Sequence, residues 1–591
     1  MLSDSHAERE WVRAALRAKL ACSKSMIELT AYRGVAMWWW ADLQFEDFVN
    51  RILKRRSEAQ SKRPQFKLLQ ICRKLEALAT DFLRGVRSRV MRSGLAVLFV
   101  SIVVRVPMGV RRRKRVLPIG SDRFSKILFT SENVEWRPIR DENTGRLRKS
   151  DAFFDSIMRR LADKDECIGV YPLLRRNTLS NLIVSLRIFL DKLGNWYVQH
   201  RPFELYWSPY VVKAEKDAQR HFKGVWSDLR RDPEFRYFCD RVRKDIGPSA
   251  VSMLQHHFLV TFPLAVRYVE MAKQMIDRED PDLILLEEEY GAPFERALVV
   301  AAKERGVPTL GVQHGDISPY HVGYVHMNGD ISPDSSARAP YCPIPDRTAV
   351  YGPYHEQLLT RIAGYPAGSV VVTGQPRYDR LHNVDRIYSK EGFMSRHGIK
   401  PNNKIVLWTT QCHAFTMREN EELLTTVFDA MCKISNARLV IKQHPGEKEI
   451  HTRLIKTYAS RYGMDASLVP KNSDTYEQLH ACDLLVTTHS TTAMEAVAVQ
   501  KPVVILKLGL RPESTDYVAE GVAIQVADRS QLRPTIERLL EDDSMLSKNR
   551  SKFIGKYLYR MDGKSTQRMI DLISKMLDES HSPHDLKKAV I

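Results

Sequence analysis

The clearest candidate for a ligand-binding segment in this sequence is a run of hydroxyl-bearing residues between two apolar segments. Residues 484–486 predict a buried strand, residues 487–492 a polar turn, and residues 503–506 a second buried strand, with a helix starting near Ala493. A strand–turn–helix unit of this kind presents hydroxyls and backbone N–H groups to phosphates. The alternative is a helix N-cap without a ligand. The candidate donor-binding residues are His489, Ser490, Thr491, Thr492 and, on the same helix face as Thr491, Glu495.

A histidine–proline pair stands one predicted strand–helix unit earlier. The apolar residues of the segment Val-Ile-Lys-Gln-His-Pro-Gly-Glu (440–447) end at Ile441, so His444 follows a predicted strand. Pro445 biases His444 toward an extended backbone, which holds the imidazole at the mouth of the sheet. Lys442 adds a positive charge. We therefore predict that Lys442, His444 and Pro445 contact the phosphate or ribose of a nucleotide.

A third segment, Trp-Thr-Thr-Gln-Cys-His (408–413), follows the strand predicted at 404–409. It is the first strand–loop junction of the second half of the chain, and in a doubly wound sheet this junction faces the ligand cleft. Thr410 and Gln411 are therefore further candidates for donor binding.

Acidic residues end a buried strand in the first half of the chain. Glu287, Glu288 and Glu289 follow the apolar residues 283–286, and like charges in a cleft raise one another's pKa, which suits a general base. The alternative is an acidic helix start that complements the helix dipole. His314, at the end of the next predicted strand, is a second candidate base, and a histidine satisfied within the core is its alternative.

Two glycine turns complete the set of candidates. Gln313 and Gly315 flank His314, and Gly315 allows a substrate to approach closely. Gly374 and Arg377 lie in the segment Val-Val-Thr-Gly-Gln-Pro-Arg-Tyr-Asp (371–379), near the expected domain junction. We predict that these four residues line either the cleft or a hinge.

Alternating strand and helix patterns that start near residue 121 predict an α/β protein with two Rossmann-like, doubly wound domains facing a cleft. We assign residues 121–385 to the first domain, with an insertion at 194–247, and residues 386–591 to the second. Residues 1–120 are expected to form a basic, mainly helical extension. Strands are predicted at 126–130, 168–171, 282–287, 308–312, 348–351, 369–373, 404–409 and 438–442, and helices at 151–161, 175–192, 249–277, 293–305, 419–434 and 546–577.

The amino-acid composition limits which binding partners and which cellular compartment can be expected for the protein. The 591 residues carry a net charge of +20, and basic clusters concentrate in residues 1–120. Such clusters suit an anionic membrane surface, with a solvated basic face as the alternative. No nucleic acid is expected, because aromatic residues that would stack on bases are not interleaved with these charges. The 8 cysteines form no CxxC pair, which favours a reduced, cytoplasmic setting without zinc or disulfides.

Two apolar features of the N-terminal extension could touch a membrane. The segment 95–104 is too short to span a bilayer, but flanking arginines would let it lie in the interface or pack in a core. The tryptophans of Met37–Trp40 could anchor at lipid headgroups or pack against the main body. We therefore expect a cytoplasmic protein that could bind the inner face of the cell membrane peripherally.

Taken together, the segments 373–379, 442–445 and 489–495, with Lys501-Pro-Val, resemble the two-domain GT-B glycosyltransferases of bacterial surface and capsular polysaccharides. The resemblance extends to sialyl- and Kdo-transferase-like enzymes and to CDP-glycerol glycerophosphotransferases. It implies that His444, Pro445, Ser490 and Thr491 bind the donor nucleotide, commonly CMP or CDP. It also implies an acidic base in the first domain, although Tyr290 before Gly291 departs from the family's acidic-acidic-Gly motif.

The function implied is sugar transfer from a nucleotide-sugar, a co-substrate, to a glycan or lipid-linked acceptor. Glu287, Glu288, Glu289 or His314 would take the acceptor proton, and the second domain would stabilise the leaving phosphate. We expect no cofactor and no metal, because no Asp-x-Asp cluster stands in a cleft loop. The alternatives are a CDP-glycerol glycerophosphotransferase, a UDP-N-acetylglucosamine 2-epimerase-like enzyme and a basic membrane- or nucleic-acid-binding scaffold.

Overall fold

The structure is a computed structural model. It describes residues 26–41, 124–130, 135–141, 145–172, 192, 197–245, 248–290, 293–319, 321, 323–326, 329–507 and 517–588. The basic N-terminal clusters, the apolar segment 95–104 and nearly all of the helix predicted at 175–192 lie outside the described residues.

The first domain is built on parallel strands with helices on both faces. Its sheet has seven strands in the order β11-β10-β9-β8-β3-β6-β7, and all of its neighbouring strands are parallel. Before residue 400 the strands are β1 (Ala31–Tyr32), β2 (Val35–Ala36), β3 (Lys126–Thr130), β4 (Trp136–Arg140), β5 (Leu147–Asp151), β6 (Glu166–Tyr171), β7 (Gln199–Pro202), β8 (Leu283–Leu286), β9 (Thr309–Val312), β10 (Arg347–Val350) and β11 (Val370–Val372).

The helices of this half include a large helical block inserted between β7 and β8. They are α1 (Met26–Leu29), α2 (Asp155–Leu161), α3 (Pro209–Leu229), α4 (Pro233–Asp245), α5 (Pro248–His256), α6 (Phe262–Glu279), α7 (Phe294–Arg305) and α8 (Pro353–Arg361). A π-helical turn, His257–Thr261, joins α5 to α6. Short helices then lead to the second domain: α9 (Asp379–His382), α10 (Val384–Ile387) and α11 (Lys390–Arg396).

The second domain repeats the design with six parallel strands in the order β14-β13-β12-β15-β16-β17. The strands are β12 (Lys404–Thr409), β13 (Ala437–Lys442), β14 (Ser467–Val469), β15 (Leu484–Thr487), β16 (Val503–Leu506) and β17 (Ala523–Val526). The helices are α12 (Met417–Met431), α13 (Glu449–Arg461), α14 (Thr475–Ala481), α15 (Thr492–Ala498), α16 (Leu532–Glu541), α17 (Ser544–Tyr557) and α18 (Ser565–Lys588). The predicted fold class, two doubly wound α/β domains, is confirmed.

Successive side chains of a strand point to opposite faces, so each sheet separates two cores. In the first domain, Leu128 and Ile284 pack in a core that also contains residues of α6 and α7, whereas Ile127 and Leu283 face α2. Because both faces are covered, these strands read as continuous apolar runs, which is why their positions could be predicted.

The helix predicted at 546–577 is wrong as a single element. It is two helices, α17 and α18, separated by a turn in which Tyr559 and Gly563 have positive φ angles of 69° and 68°. Beyond the break the chain returns to the first domain, where Met569 and Ile573 pack in the same core as Ile127. The last helix of the chain therefore completes the first sheet rather than the second.

The tryptophan cluster Met37–Trp40 packs inside the first domain. Its three tryptophans are 1–3% exposed. Trp39 and Trp40 donate their indole N–H groups to the carbonyl oxygens of Pro340 and Pro293, at 3.0 and 3.2 Å. Packing against the main body, one of the two expectations for this cluster, is what the structure shows. No helix within the described residues is long and apolar enough to cross a membrane.

We expect Ile573→Ala to destabilise the first domain although residue 573 lies far from it in sequence. Ile573 is 0% exposed, and truncating such a side chain costs about 2–5 kcal/mol. Chemical denaturation followed by tryptophan fluorescence would measure the loss. The control is Lys575→Ala on the same helix, whose side chain is 70% exposed and which should cost less than about 0.5 kcal/mol. Equal effects of the two substitutions would contradict the packing of α18.

Candidate functional site

Glu287 and His314 meet at the carboxyl edge of the first sheet. They follow β8 and β9, which are adjacent and parallel, so their carboxyl ends open at the same edge. His314 Nδ1 lies 3.2 Å from Glu287 Oε1. The Glu287 side chain is 2% exposed, whereas that of His314 is 30% exposed and can reach a ligand. Phe153 stacks on the imidazole at 5.3 Å between ring centroids, which fixes the ring plane.

Burial and the short contact shift both members of this pair. Burial raises the pKa of Glu287 to about 7, even though His314 pulls it down. Burial lowers the pKa of His314, but the close contact with the negative charge of Glu287 outweighs it and raises the value to about 9. Between these values the pair is a carboxylate and an imidazolium. His314 becomes a proton acceptor once the imidazolium has lost its proton, and Glu287 holds the ring in place for that role.

The three carboxylates predicted as one acidic cluster separate in the structure. Glu289 accepts hydrogen bonds from the hydroxyls of Thr348, at 2.7 Å, and Tyr365, and burial raises its pKa to about 7. Glu288 is half-buried and acts on His314 through its charge. Residues 287–290 form a bend and a turn after β8, so the three carboxylates point in different directions, and Glu287 is the one that lies 3.2 Å from His314 Nδ1.

Two more charged residues near the pair were not singled out from the sequence. Glu135 is 7% exposed and, with Glu287 and His314, forms the one group in the described part of the chain whose donor atoms lie close enough to share a metal ion, within 4.8 Å. Lys192 is fully buried with its Nζ 3.8 Å from the ring centroid of Tyr171. Burial lowers the pKa of Lys192 to about 8, against the charges of Asp151 and Glu287. Neither residue lies in a recognisable motif.

Gln313 holds the loop that carries His314. Its side-chain amide donates to the carbonyl of Gly315 at 2.7 Å, and its carbonyl oxygen accepts from the backbone N–H of Tyr351 at 2.8 Å. The hydroxyl of Tyr351 donates to the carbonyl of His314 at 2.6 Å. Gln313 and Gly315 therefore help to position the loop that carries His314.

Gly374 lies at the domain junction where the backbone closely approaches Ser565 of α18. Its φ is +75°, a conformation that other residues rarely adopt, and a Cβ there would lie 2.5 Å from Ser565 Oγ on α18. This glycine therefore lets the junction pack against the returning helix.

In the second domain, the hydroxyl-rich turn is ordered by its own side chains. Ser490 Oγ accepts the N–H of Thr492 at 3.2 Å and lies 2.7 Å from Thr492 Oγ1. Gln411 Oε1 accepts the N–H of His489 at 3.0 Å and the hydroxyl of Thr488. Gln411 thus supports the turn from the neighbouring strand. The helix after the turn, α15, has only 7 residues, so hydroxyls offer more to a ligand here than a helix dipole does.

His444 lies just beyond the end of β13, which β12 separates from β15 in the sheet. Its Nδ1 accepts the N–H of Gly446 at 3.0 Å, so the neutral ring carries its proton on Nε2. The residue is exposed and stacks on His413 with 4.3 Å between ring centroids. Pro445 begins the turn that closes this contact. His444 can therefore donate a hydrogen bond to a ligand.

Glu447 ties the two donor loops together, a role that the sequence did not reveal although the residue ends the His-Pro segment. It is 5% exposed. Its Oε1 accepts from the Thr410 hydroxyl at 2.9 Å and the Cys412 N–H at 2.8 Å, and its Oε2 accepts from Gln443 at 2.9 Å. Thr410 is therefore engaged in holding the loops.

Lys442 is bonded to backbone carbonyl groups of its own domain. Its side chain is buried, and Nζ donates to the backbone carbonyl of Gln443 at 3.1 Å and to that of Lys471. Its ammonium group therefore holds the loops that contain Gln443 and Lys471, and its contact with a donor nucleotide stays a prediction.

The two domains meet in a buried ion pair. Arg377 follows β11, and its Nη2 lies 3.5 Å from Glu495 Oε1 on α15, with the side chains 12% and 8% exposed. Glu495, predicted to hold a ribose, thus contacts the first domain. This pairing across the cleft is not readable from the sequence, because the two residues lie in segments far apart in the chain.

Comparison with known proteins identifies the class of enzyme. Residues 293–575 match the family model of CDP-glycerol:poly(glycerophosphate) glycerophosphotransferase. No curated protein is significantly similar to the chain. The match confirms the resemblance stated from the motifs, which included this family, and identifies the chain as a transferase.

Several solved structures of low sequence identity align with the chain at TM-scores below 0.5. A variant of the wall teichoic acid polymerase TagF soaked with CDPG is 10% identical, with 84% of this chain and 97% of that chain covered and a TM-score of 0.44. UDP-GlcNAc 2-epimerase from Neisseria meningitidis bound to UDP-GlcNAc is 12% identical, with 76% and 100% covered and a TM-score of 0.46. A glycosyltransferase from Rickettsia africae is 10% identical, with 77% and 99% covered and a TM-score of 0.43.

We expect turnover to be independent of divalent metal. The acidic pair Glu135 and Glu287 could attract a cation, but the charge of His314 as an imidazolium repels one. Turnover measured after treatment with EDTA should match that of untreated enzyme. A loss of activity that is restored by Mn²⁺ or Mg²⁺ would instead assign these three residues to a metal.

Proposed function

We propose that this transferase, whose residues 293–575 resemble the CDP-glycerol glycerophosphotransferases, moves glycerol phosphate from a CDP-linked donor to a hydroxyl group of a surface polymer or its lipid-linked precursor. The observation that carries the proposal is the contact of 3.2 Å between His314 and Glu287, a base and its orienting carboxylate at the open edge of the first sheet. The family match to the segment that contains His314 and the donor loops supports the choice of donor.

The second domain supplies the residues for the donor. Ser490 and Thr492 present hydroxyls at the end of β15, and His444 presents a ring N–H at the end of β13. Parallel strands bring these ends to one edge, so hydrogen-bond donors converge where the phosphates of a nucleotide would sit. Glu495, one helical turn beyond Thr491, is placed to bind a ribose hydroxyl.

The reaction follows from this arrangement. His314 accepts the proton of the acceptor hydroxyl while the hydroxyl oxygen forms a bond to the phosphorus of the glycerol phosphate group. The bond from that phosphorus to the bridging oxygen of the donor breaks, and CMP leaves with the electron pair. Hydroxyls and the His444 ring stabilise the charge that develops on the leaving phosphate.

Transfer of a sugar is the second candidate function. It was the first expectation from the motifs, and the same base and the same donor loops would serve it, with attack at the sugar carbon in place of phosphorus. The family match favours glycerol phosphate over a sugar. A glycan or lipid-linked acceptor, and contact of the N-terminal residues with an anionic membrane, remain part of the proposal.

A donor screen tests the function directly. Full-length protein should bind CDP and CMP more tightly than UDP and release CMP from CDP-glycerol when an acceptor with free hydroxyls is added. Calorimetry and nucleotide release would measure the two steps. Release from CMP-linked or UDP-linked sugars only would favour the second candidate. Failure to bind any nucleotide would exclude both candidates.

The dependence of the rate on pH reports the base. Because the pKa of His314 is raised to about 9, kcat/KM should increase about tenfold for each pH unit below that value and level off above it. Glu287→Gln removes the negative charge that raises the pKa of His314, whereas burial of the imidazole still lowers that pKa. The midpoint of the pH–rate profile should therefore move down by more than about one pH unit. Rates between about pH 6 and 10 would show it. An unchanged midpoint in Glu287→Gln would exclude His314 as the base.

A further inference from the structure

Two arginines of the domain junction make different contacts with the second domain. Arg380, on α9, donates to Asp474 Oδ2 at 2.7 Å and also to the Tyr388 hydroxyl. Arg377, three residues earlier, lies 3.5 Å from Glu495 and donates only a long hydrogen bond of 3.5 Å to the Tyr378 hydroxyl. Both side chains are largely buried, at 14% and 12% exposed. The polar partners of Arg380 are thus closer than those of Arg377, although among the described residues the Nε of each arginine lacks a hydrogen-bond partner.

Burying a guanidinium without close partners is costly, because the charge loses its hydration. In the described part of the chain, Arg377 Nε has no hydrogen-bond partner. The ring of Tyr378, whose centroid is 5.3 Å from Arg377 Cζ, compensates in part through a cation–π contact. A planar fork of N–H groups held in this way is suited to bind a phosphate with two hydrogen bonds.

The position of Arg377 links the donor loops to the base. Its partner Glu495 lies one helical turn from Thr491, so the guanidinium is close to the hydroxyl-rich turn. In the other direction, Gln375 donates to the Tyr351 hydroxyl at 3.1 Å, and Tyr351 donates to the carbonyl of His314. Arg377 thus contacts the helix of the donor turn through Glu495, and its backbone N–H donates to Gln375, which is joined through Tyr351 to the loop of His314.

We propose that Arg377 is a donor-binding residue whose guanidinium binds the phosphates of the nucleotide donor and exchanges its contact with Glu495 for them when the donor enters. The inference rests on the proposed function, and it names a first-domain residue for a site otherwise built by the second domain. The exchange also frees the Glu495 carboxylate for the ribose. Without nucleotide, the guanidinium of Arg377 and the carboxylate of Glu495 pair with each other at the domain junction, 3.5 Å apart.

Comparing a nucleotide with its nucleoside separates a phosphate contact from a structural role. Affinities of full-length wild type and Arg377→Gln would be measured for CDP and cytidine, and in parallel for UDP and uridine. We expect the substitution to weaken binding of the diphosphate about 10- to 100-fold, the loss typical of a charge-assisted hydrogen bond, and to change nucleoside binding little. Arg377→Lys keeps the charge but loses the fork, so it should lose affinity to an intermediate extent.

The matched control is Arg380→Gln. It removes an equally buried, paired arginine from the same junction, so it should lower the melting temperature while the affinities for CDP and cytidine stay equal to those of wild type. Losses of the same size for CDP and cytidine in Arg377→Gln, or no loss for either, would overturn the inference and leave the proposed function intact. If the wild type binds no nucleotide, both fail. Should Arg377→Gln not fold, undiminished CDP binding by Arg377→Lys would overturn the inference.

Discussion

The parallel direction of all strands in both sheets is the constraint on which the rest of the structure depends. In such sheets every strand ends at the same edge, and the residues that follow the strands gather there whatever their separation in the chain. This is how Glu287 meets His314 in one domain, and how the residues after β12, β13 and β15 meet in the other. Polar side chains elsewhere in the strands would be buried in one of the two cores that cover each sheet.

Much of this could be predicted from the sequence, because strands buried on both faces are continuous apolar runs whose ends are easy to recognise. The ends of β12 and β13, and with them Gln411 and His444, follow from such runs. The direction of individual side chains could not be predicted. Lys442 and Glu289 stand at or just beyond strand ends like their neighbours, yet their side chains bond to a loop carbonyl and to Tyr365, partners that only the tertiary fold brings to them.

Contacts between segments that are far apart in the chain also could not be predicted from the sequence. Glu447 joins two donor loops, and Arg377 meets Glu495, but neither pair has a spacing that marks it. The buried Lys192 has no motif at all, since its surroundings of Tyr171 and Trp136 come from separate strands. Local patterns therefore identify which loops carry the chemistry, and tertiary packing decides which side chains of those loops can take part.

The return of α18 to the first domain has a consequence for how the chain is made. Residues of β3 are translated long before Met569 and Ile573, which cover one face of that strand. Until α18 has been synthesised, the apolar residues Ile127 and Leu283 remain partly uncovered, so the nascent first domain exposes an apolar surface. Chaperones that bind such surfaces would hold this domain longest, although its sheet is encoded before that of the second domain.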